Sequence, residues 1–226
     1  MIGNDVVDLR YFESPAYTHV RYLDRVCSPA EARAVRRSDL PARSLAIVWA
    51  AKEAAFKLIS QKFGRAHFVP RDFVAALHHQ ELDTGADFTM SSGGVSSRIS
   101  VTTNECWVHA VATLPGDYFL RWRVEEMSGY CSSNAAARAE SQAVRRLARK
   151  LLDENGREGV LEFLGRVPRV KKASTASETV ISLSHHGAYV AAAIAWRSAD
   201  RRGTPDGQLA FRGGIMMGGK CSTCMA

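Results

Sequence analysis

The chain has 226 residues, 46% hydrophobic and 23% charged, with a formal net charge of +7. That length fits one large domain or two small ones and can bury a real core, and the composition is ordinary for a soluble globular protein. The longest apolar run, Ala188–Trp196, is far short of the roughly 20 residues a membrane helix needs, and charged Met1–Arg10 has no signal-peptide core, so a cytoplasmic protein with no membrane partner is expected. Three scattered cysteines (Cys27, Cys106, Cys131) fit that compartment, and a single C-x-x-C (Cys221, Cys224) without a second pair or a neighbouring His is not read as a zinc site. The moderate basic excess suits a phosphorylated ligand or an acidic protein partner, and nucleic acid is not expected.

In chain order, Ile2–Leu9 reads as a strand, with Asp5 and Val7 on one face and Asp8 on the other. Gly3 permits close approach of another backbone. Ser28-Pro29-Ala30-Glu31 is a capping box with Pro at the first helical position, opening a short helix to about Ser38; capping alone could account for Glu31. A long helix follows from Pro41 to Lys62, rich in Ala, Leu, Lys and Glu. Within it Trp49, Glu53 and Lys57 share a face at spacings of four, so Glu53–Lys57 can be an ion pair on a solvated face. A carboxylate beside Trp49 and Phe56 is costly to bury unless its charge is compensated. Strands are predicted at Phe73–His79, Ser96–Thr102 and Cys106–Leu114, with Met90–Ser97 as a turn region. His78 and His79 fall on opposite strand faces and do not form a chelate.

A second unit opens near Asp117 with a strand over Tyr118–Glu125 and a polar link, Ser128–Asn134. The helix Ala135–Glu154 is apolar along Val144, Leu147, Ala148 and Leu151 and basic through Arg145, Arg146, Arg149 and Lys150. A basic link with Lys171 and Lys172 leads to strands Val180–Ser184 and Ala188–Trp196. Residues 99–110 align without gaps to 181–192, and each unit runs strand, helices, strand pair, which suggests an internal duplication. The expected division is 1–116, 117–198 and a Gly-rich disordered tail over 199–226.

Three stretches carry the chemistry: Gly3-Asn4-Asp5, Trp49-Ala-Ala-Lys52-Glu53-Ala-Ala-Phe-Lys57, and Ser184-His185-His186 at the end of a late strand. Together, and in this order, they resemble the motifs of the 4′-phosphopantetheinyl transferase superfamily over about residues 1–196. The order is that of the holo-acyl-carrier-protein synthase type, while the length and duplication are similar to the monomeric surfactin-synthetase-activating type with its halves reversed. The resemblance implies an α+β fold, a pseudo-dimer of two modules each pairing an antiparallel sheet with helices, and a monomer in solution. It implies Mg²⁺-dependent transfer of phosphopantetheine from coenzyme A to a serine of an acidic apo-carrier protein, releasing 3′,5′-ADP.

On the matching positions, Asp5 and Glu53 are the implied metal ligands, with Val7 where some members carry a third carboxylate. Lys57, Ser184 and His185 are the implied contacts to coenzyme A, with Lys52 and Arg166 as auxiliaries and no role for His186. Glu53 and Lys57 are the candidate catalytic residues; metal-bound water, Glu53 and Lys57 all stand open as the base that takes the serine proton. The rival classes are a catalytically silent carrier-binding homologue, against which Asp5, Glu53 and Lys57 argue, and a basic nucleic-acid-binding protein, which would rest on charge alone.

Overall fold

A computed structural model describes residues 1–63, 67–76, 87–116, 118–128, 136–165, 167–171 and 179–197. The chain order is β1 (Ile2–Asp8), α1 (Pro15–Thr18), α2 (Val20–Val26), α3 (Pro29–Arg37), α4 (Pro41–Phe63), β2 (Val74–Ala76), β3 (Asp87–Ser92), β4 (Val95–Thr103) and β5 (Trp107–Thr113). It continues with β6 (Tyr118–Glu126), α5 (Ala136–Glu154), β7 (Val160–Leu164), β8 (Val167–Lys171), β9 (Val180–His186) and β10 (Tyr189–Arg197). The fold is α+β, with antiparallel sheets throughout.

Five strands form the first sheet in the order β1-β5-β4-β3-β2, and three form the second as β6-β10-β9, while β7 and β8 make a separate hairpin. The order β1-β5-β4 repeats in β6-β10-β9: an opening strand beside the last strand of a hairpin. Register repeats as well. Ile99 faces Ala112 across the first hairpin and Ile181 faces Ile194 across the second, which is the gapless alignment of 99–110 on 181–192 carried through.

Helix α4 packs the first sheet. Leu45, Val48, Ala51, Ala54, Ala55 and Leu58 are buried in one core with Val7, Val108 and Ala110. Gly3 makes the contact close: a Cβ there would collide with the Ala54 carbonyl oxygen and the Leu58 amide. On the second sheet, α5 buries Val144, Leu147, Ala148, Leu151 and Leu152 against Ile181, Val190, Ala192 and Ile194. Strand β1 is thus covered on both faces, with Ile2 and Val6 packing against residues of β10 in the second sheet.

The open edge of β1 is closed by side chains, not by another backbone ladder. The Asn4 amide donates to Ser182 Oγ (2.9 Å) and the Asp8 amide to His186 Nδ1 (3.0 Å). Gln61 of α4 accepts from the Ile2 amide (3.3 Å) and donates to the Ile181 carbonyl (3.0 Å). Such an edge, left bare, would be a template for pairing with another chain.

Several local expectations are corrected. Residues 90–97 are not one turn region: β3 runs to Ser92 and β4 starts at Val95, so only Gly93-Gly94 turn. The alternation of buried Phe88 and Met90 with exposed Asp87 and Thr89 was masked by the Ser/Gly composition around it. No strand was expected between α5 and β9, yet β7 and β8 form a hairpin there that takes in Lys171 of the basic link; exposed Val160 and Leu164 break the alternation that reveals a strand. The short helices α1 and α2 gave no long apolar period to read. His78, His79, Arg166 and the tail lie outside the described residues.

Candidate active site

The three motif stretches meet at the seam between the two sheets. A cavity of about 370 Å³ there is lined by Asp5, Glu53, Lys57, His185 and His186, with Phe12, Tyr17, Tyr22 and Trp49 as an aromatic wall. Phe12 stacks on Tyr17 at 5.0 Å, and Tyr17 meets Tyr22 edge-on at 5.0 Å. A second cavity of about 450 Å³, beside the exposed Arg98–Asp87 pair, contains none of the motif residues.

Alternation along β1 sends Asp5 toward α4 and Asp8 toward the second sheet. Lys57 Nζ donates to Asp5 Oδ1 (2.7 Å) and to the Asn4 carbonyl (3.0 Å). The solvated Glu53–Lys57 pair is therefore not formed: Lys57 is committed to β1, and Glu53 has no hydrogen bond or ion pair with any described residue. Burial, and then the nearby Asp5 charge, push the Glu53 carboxyl up to about 7. Burial also raises Asp5, with Lys57 opposing it. Two carboxyls with raised pKa values thus share one cleft, a pattern that marks it as a candidate site.

Lys52 is elsewhere. Its stem runs into the core, and the fully buried ammonium donates to Glu31 Oε2 (2.7 Å) and the Pro70 carbonyl (3.0 Å). Glu31 does more than cap α3: its Oε2 also accepts from the Ser28 amide (2.7 Å), and its Oε1 accepts from the Ala75 amide of β2 (2.8 Å). The motif lysine thus ties α4 to α3 and does not face the cavity, which corrects its expected role as a coenzyme A contact.

The end of β9 splits its residues between two faces. Ser184 is buried on the face turned to β1, and its Oγ has no partner among the described residues; it is not part of the cavity lining. His185, half-exposed on the other face, stands with Nδ1 3.1 Å from Glu140 Oε2 of α5. A carboxylate can only accept, so Nδ1 carries the proton in that contact. His186, which sequence reasoning left without a role, is in the wall with its Nδ1 held by the Asp8 amide. Burial lowers its pKa, with Asp5 and Asp8 opposing.

Asp8 is a clasp. Its carboxylate binds Arg10 (Oδ2 to Nη2, 2.6 Å) and accepts from the Ala188 amide (3.1 Å) at the β9–β10 turn. Burial alone would raise its pKa, but the Arg10 and Ala188 hydrogen bonds leave it lowered. Glu140 and His186 were missed because each meets a partner distant in sequence, and the Asp8 contact that grips the β9–β10 turn spans 180 positions.

A family model for the 4′-phosphopantetheinyl transferase superfamily matches residues 1–120. The chain belongs to that superfamily. At family level it is therefore a phosphopantetheinyl transferase. None of the curated proteins matches it. The matched span contains Asp5, Glu53 and Lys57, while His185 and His186 come from the sheet beyond it. No helix among the described residues is long and apolar enough to cross a membrane.

Proposed function

We propose that the chain transfers 4′-phosphopantetheine from coenzyme A to a serine of an acidic apo-carrier protein and releases 3′,5′-ADP, acting as a monomeric pseudo-dimer with one site at its internal seam. The observation that carries this reading is the meeting of Asp5, Glu53, Lys57 and His185 in one cavity, with Glu53 free of any described protein partner. A silent homologue has no use for a half-buried, unpaired carboxyl, which costs stability unless something binds it. The repeated strand order and register support the pseudo-dimer.

The donor set fits Mg²⁺. Asp5 and Glu53 supply hard oxygen ligands, and no described group of three His, Cys, Asp or Glu residues completes a site, so water and substrate phosphates would fill the remaining positions. When bound, the ion neutralises pyrophosphate charge. The ammonium of Lys57, its direction fixed by Asp5, would then face the same pyrophosphate. Lys57 cannot serve as the base while it donates to Asp5 and the Asn4 carbonyl. Glu53 can: its carboxylate has no described protein partner, so one oxygen can face the ion while the other takes the proton. The carrier serine Oγ forms a bond to the β-phosphorus, its proton passes to Glu53, and the bond from that phosphorus to the bridging oxygen breaks, leaving the electron pair on 3′,5′-ADP. Little covalent work is left to the protein, so positioning and charge dominate.

The test is incubation with coenzyme A, Mg²⁺ and a panel of apo-carrier proteins, followed by mass spectrometry of the carriers. A single phosphopantetheinyl addition on the carrier serine is expected; no addition to any of several diverse carriers would end the enzyme reading.

A further inference from the structure

The two histidines at the end of β9 hold their ring protons in opposite ways. His185 faces a carboxylate with Nδ1, so that nitrogen carries the proton. His186 faces the backbone amide of Asp8 with Nδ1 at 3.0 Å. An amide N–H can only donate, so Nδ1 of His186 must offer its lone pair, and the proton of the neutral ring sits on Nε2.

The ring has little freedom to change this arrangement. Tyr11 packs edge-on against it at 5.0 Å, and Phe12 lies at 6.5 Å. The next residue, Gly187, has φ +56°, and a Cβ there would collide with Asp8 Oδ2 and the Tyr11 ring. Asp8 also grips the turn through the Ala188 amide. The end of β1 therefore fixes both the position of His186 and its tautomer. Nε2–H has no partner among the described residues, yet the ring is part of the wall shared with Asp5, Glu53 and Lys57.

Three roles for a cleft histidine can be told apart by this geometry. A metal ligand needs a lone pair on Nε2, which would move the proton to Nδ1 and set it against the Asp8 amide proton. A general base needs the same free lone pair. A neutral donor needs nothing to change. We propose that His186 is a hydrogen-bond donor through Nε2 to a phosphate oxygen of the coenzyme A pyrophosphate, with its tautomer set by the Asp8 amide. This rests on the transferase reading of the cavity and adds a substrate contact to it. Lys57 brings charge to the phosphates, and His186 brings direction without charge.

Two substitutions separate this role from a structural one. In His186→Asn the amide oxygen falls near the place of Nδ1, so the Asp8 amide keeps an acceptor while the Nε2 donor is lost. In His186→Gln the amide nitrogen falls near the place of Nε2, so the donor stays while the acceptor is lost. Coenzyme A affinity in the presence of Mg²⁺, measured by calorimetry, should fall roughly 10- to 100-fold in His186→Asn, the range for a hydrogen bond to a charged group. Its melting temperature should hold. His186→Gln should melt lower and recover most of the affinity. The reverse pattern, or full affinity in His186→Asn while the unmodified chain binds and transfers normally, overturns the role of His186 and leaves the transferase reading standing. No binding of coenzyme A by the unmodified chain removes both. Ring-nitrogen NMR gives a check independent of ligand: a protonated Nδ1 on His186 in the free protein also overturns the proposal.

Discussion

The two sheets carry one arrangement with its charges exchanged. Asp5 on β1 lies across from Ala110, and Arg123 on β6 lies across from Ala192, the residue aligned with Ala110 in the repeat. Asp5 reaches its covering helix as Asp5–Lys57 (2.7 Å); Arg123 reaches its own as Arg123–Glu154 (2.8 Å). In the first unit a second carboxyl, Glu53, stands beside the pair in the cleft with no partner among the described residues. In the second, the strand position holds a guanidinium that binds both Glu154 oxygens. On the proposed reading the same scaffold serves chemistry on one side and presents His185 and His186 to the cleft on the other. That leaves one reacting centre per chain on this reading.

The largest break in that comparison comes from the acidic side. Glu53→Gln and Asp5→Asn should each cut carrier modification by orders of magnitude and keep a cooperative melt, because neither carboxyl is needed to hold the core. Loss of the melt in either variant would make these residues structural. Arg123→Ala should leave turnover near that of the unmodified chain.

The next effect is on stability and concerns the other lysine of the motif. Glu31→Gln leaves the Lys52 ammonium buried without its counter-charge, and losing one partner of a buried pair costs about 3–5 kcal/mol. Urea unfolding measures it. Unchanged stability would mean that Lys52 is not committed to α3 and is free to serve the cleft.

Acid titration sharpens the contrast between cleft and seam. Glu53 is raised from 4.5 to about 7, so its share of stability is fully present below pH 4.5 and is lost as pH rises through 7; Glu53→Gln should remove that loss. His109 is buried at the seam, accepts from Asn4 Nδ2 (3.2 Å), and is lowered by burial from 6.5 to about 3. Its share has the opposite sign: present above pH 6.5 and lost as pH falls toward 3. Thermal melts of the metal-free chain from pH 4 to pH 8, with Glu53→Gln and His109→Gln beside the unmodified protein, should resolve the two slopes.

The smallest effect belongs to the exchanged pair. Arg123→Ala should cost roughly 0.5–1 kcal/mol, since Glu154 is partly exposed and solvent screens the interaction.

Sequence reading reached the residues whose chemistry is written in spacing. Strand alternation put Asp5 and Asp8 on opposite faces, and helical spacing put Trp49, Glu53 and Lys57 on one face. Their reading as a site came from the resemblance of the motifs, and the close packing of Gly3 followed from its lack of a side chain. It failed where partners are set by tertiary contact. Nothing local tells that Lys57 turns to Asp5 and not to Glu53, or that Lys52 is drawn inward by Glu31. His186 was given no role because the resemblance assigns none at its position, and its partner is an amide 178 positions away. The β7–β8 hairpin and the start of β3 were hidden for a different reason: exposed apolar residues and Ser/Gly runs blur a period-2 pattern.

The most direct measurement is a crystal structure of the chain with coenzyme A and Mg²⁺. It should place one coenzyme A per chain with its pyrophosphate between Asp5, Glu53 and Lys57 on one side and His185 and His186 on the other. Coenzyme A bound in the cavity beside Arg98 and Asp87, or held by a single sheet without the other, would contradict a site built jointly across the seam.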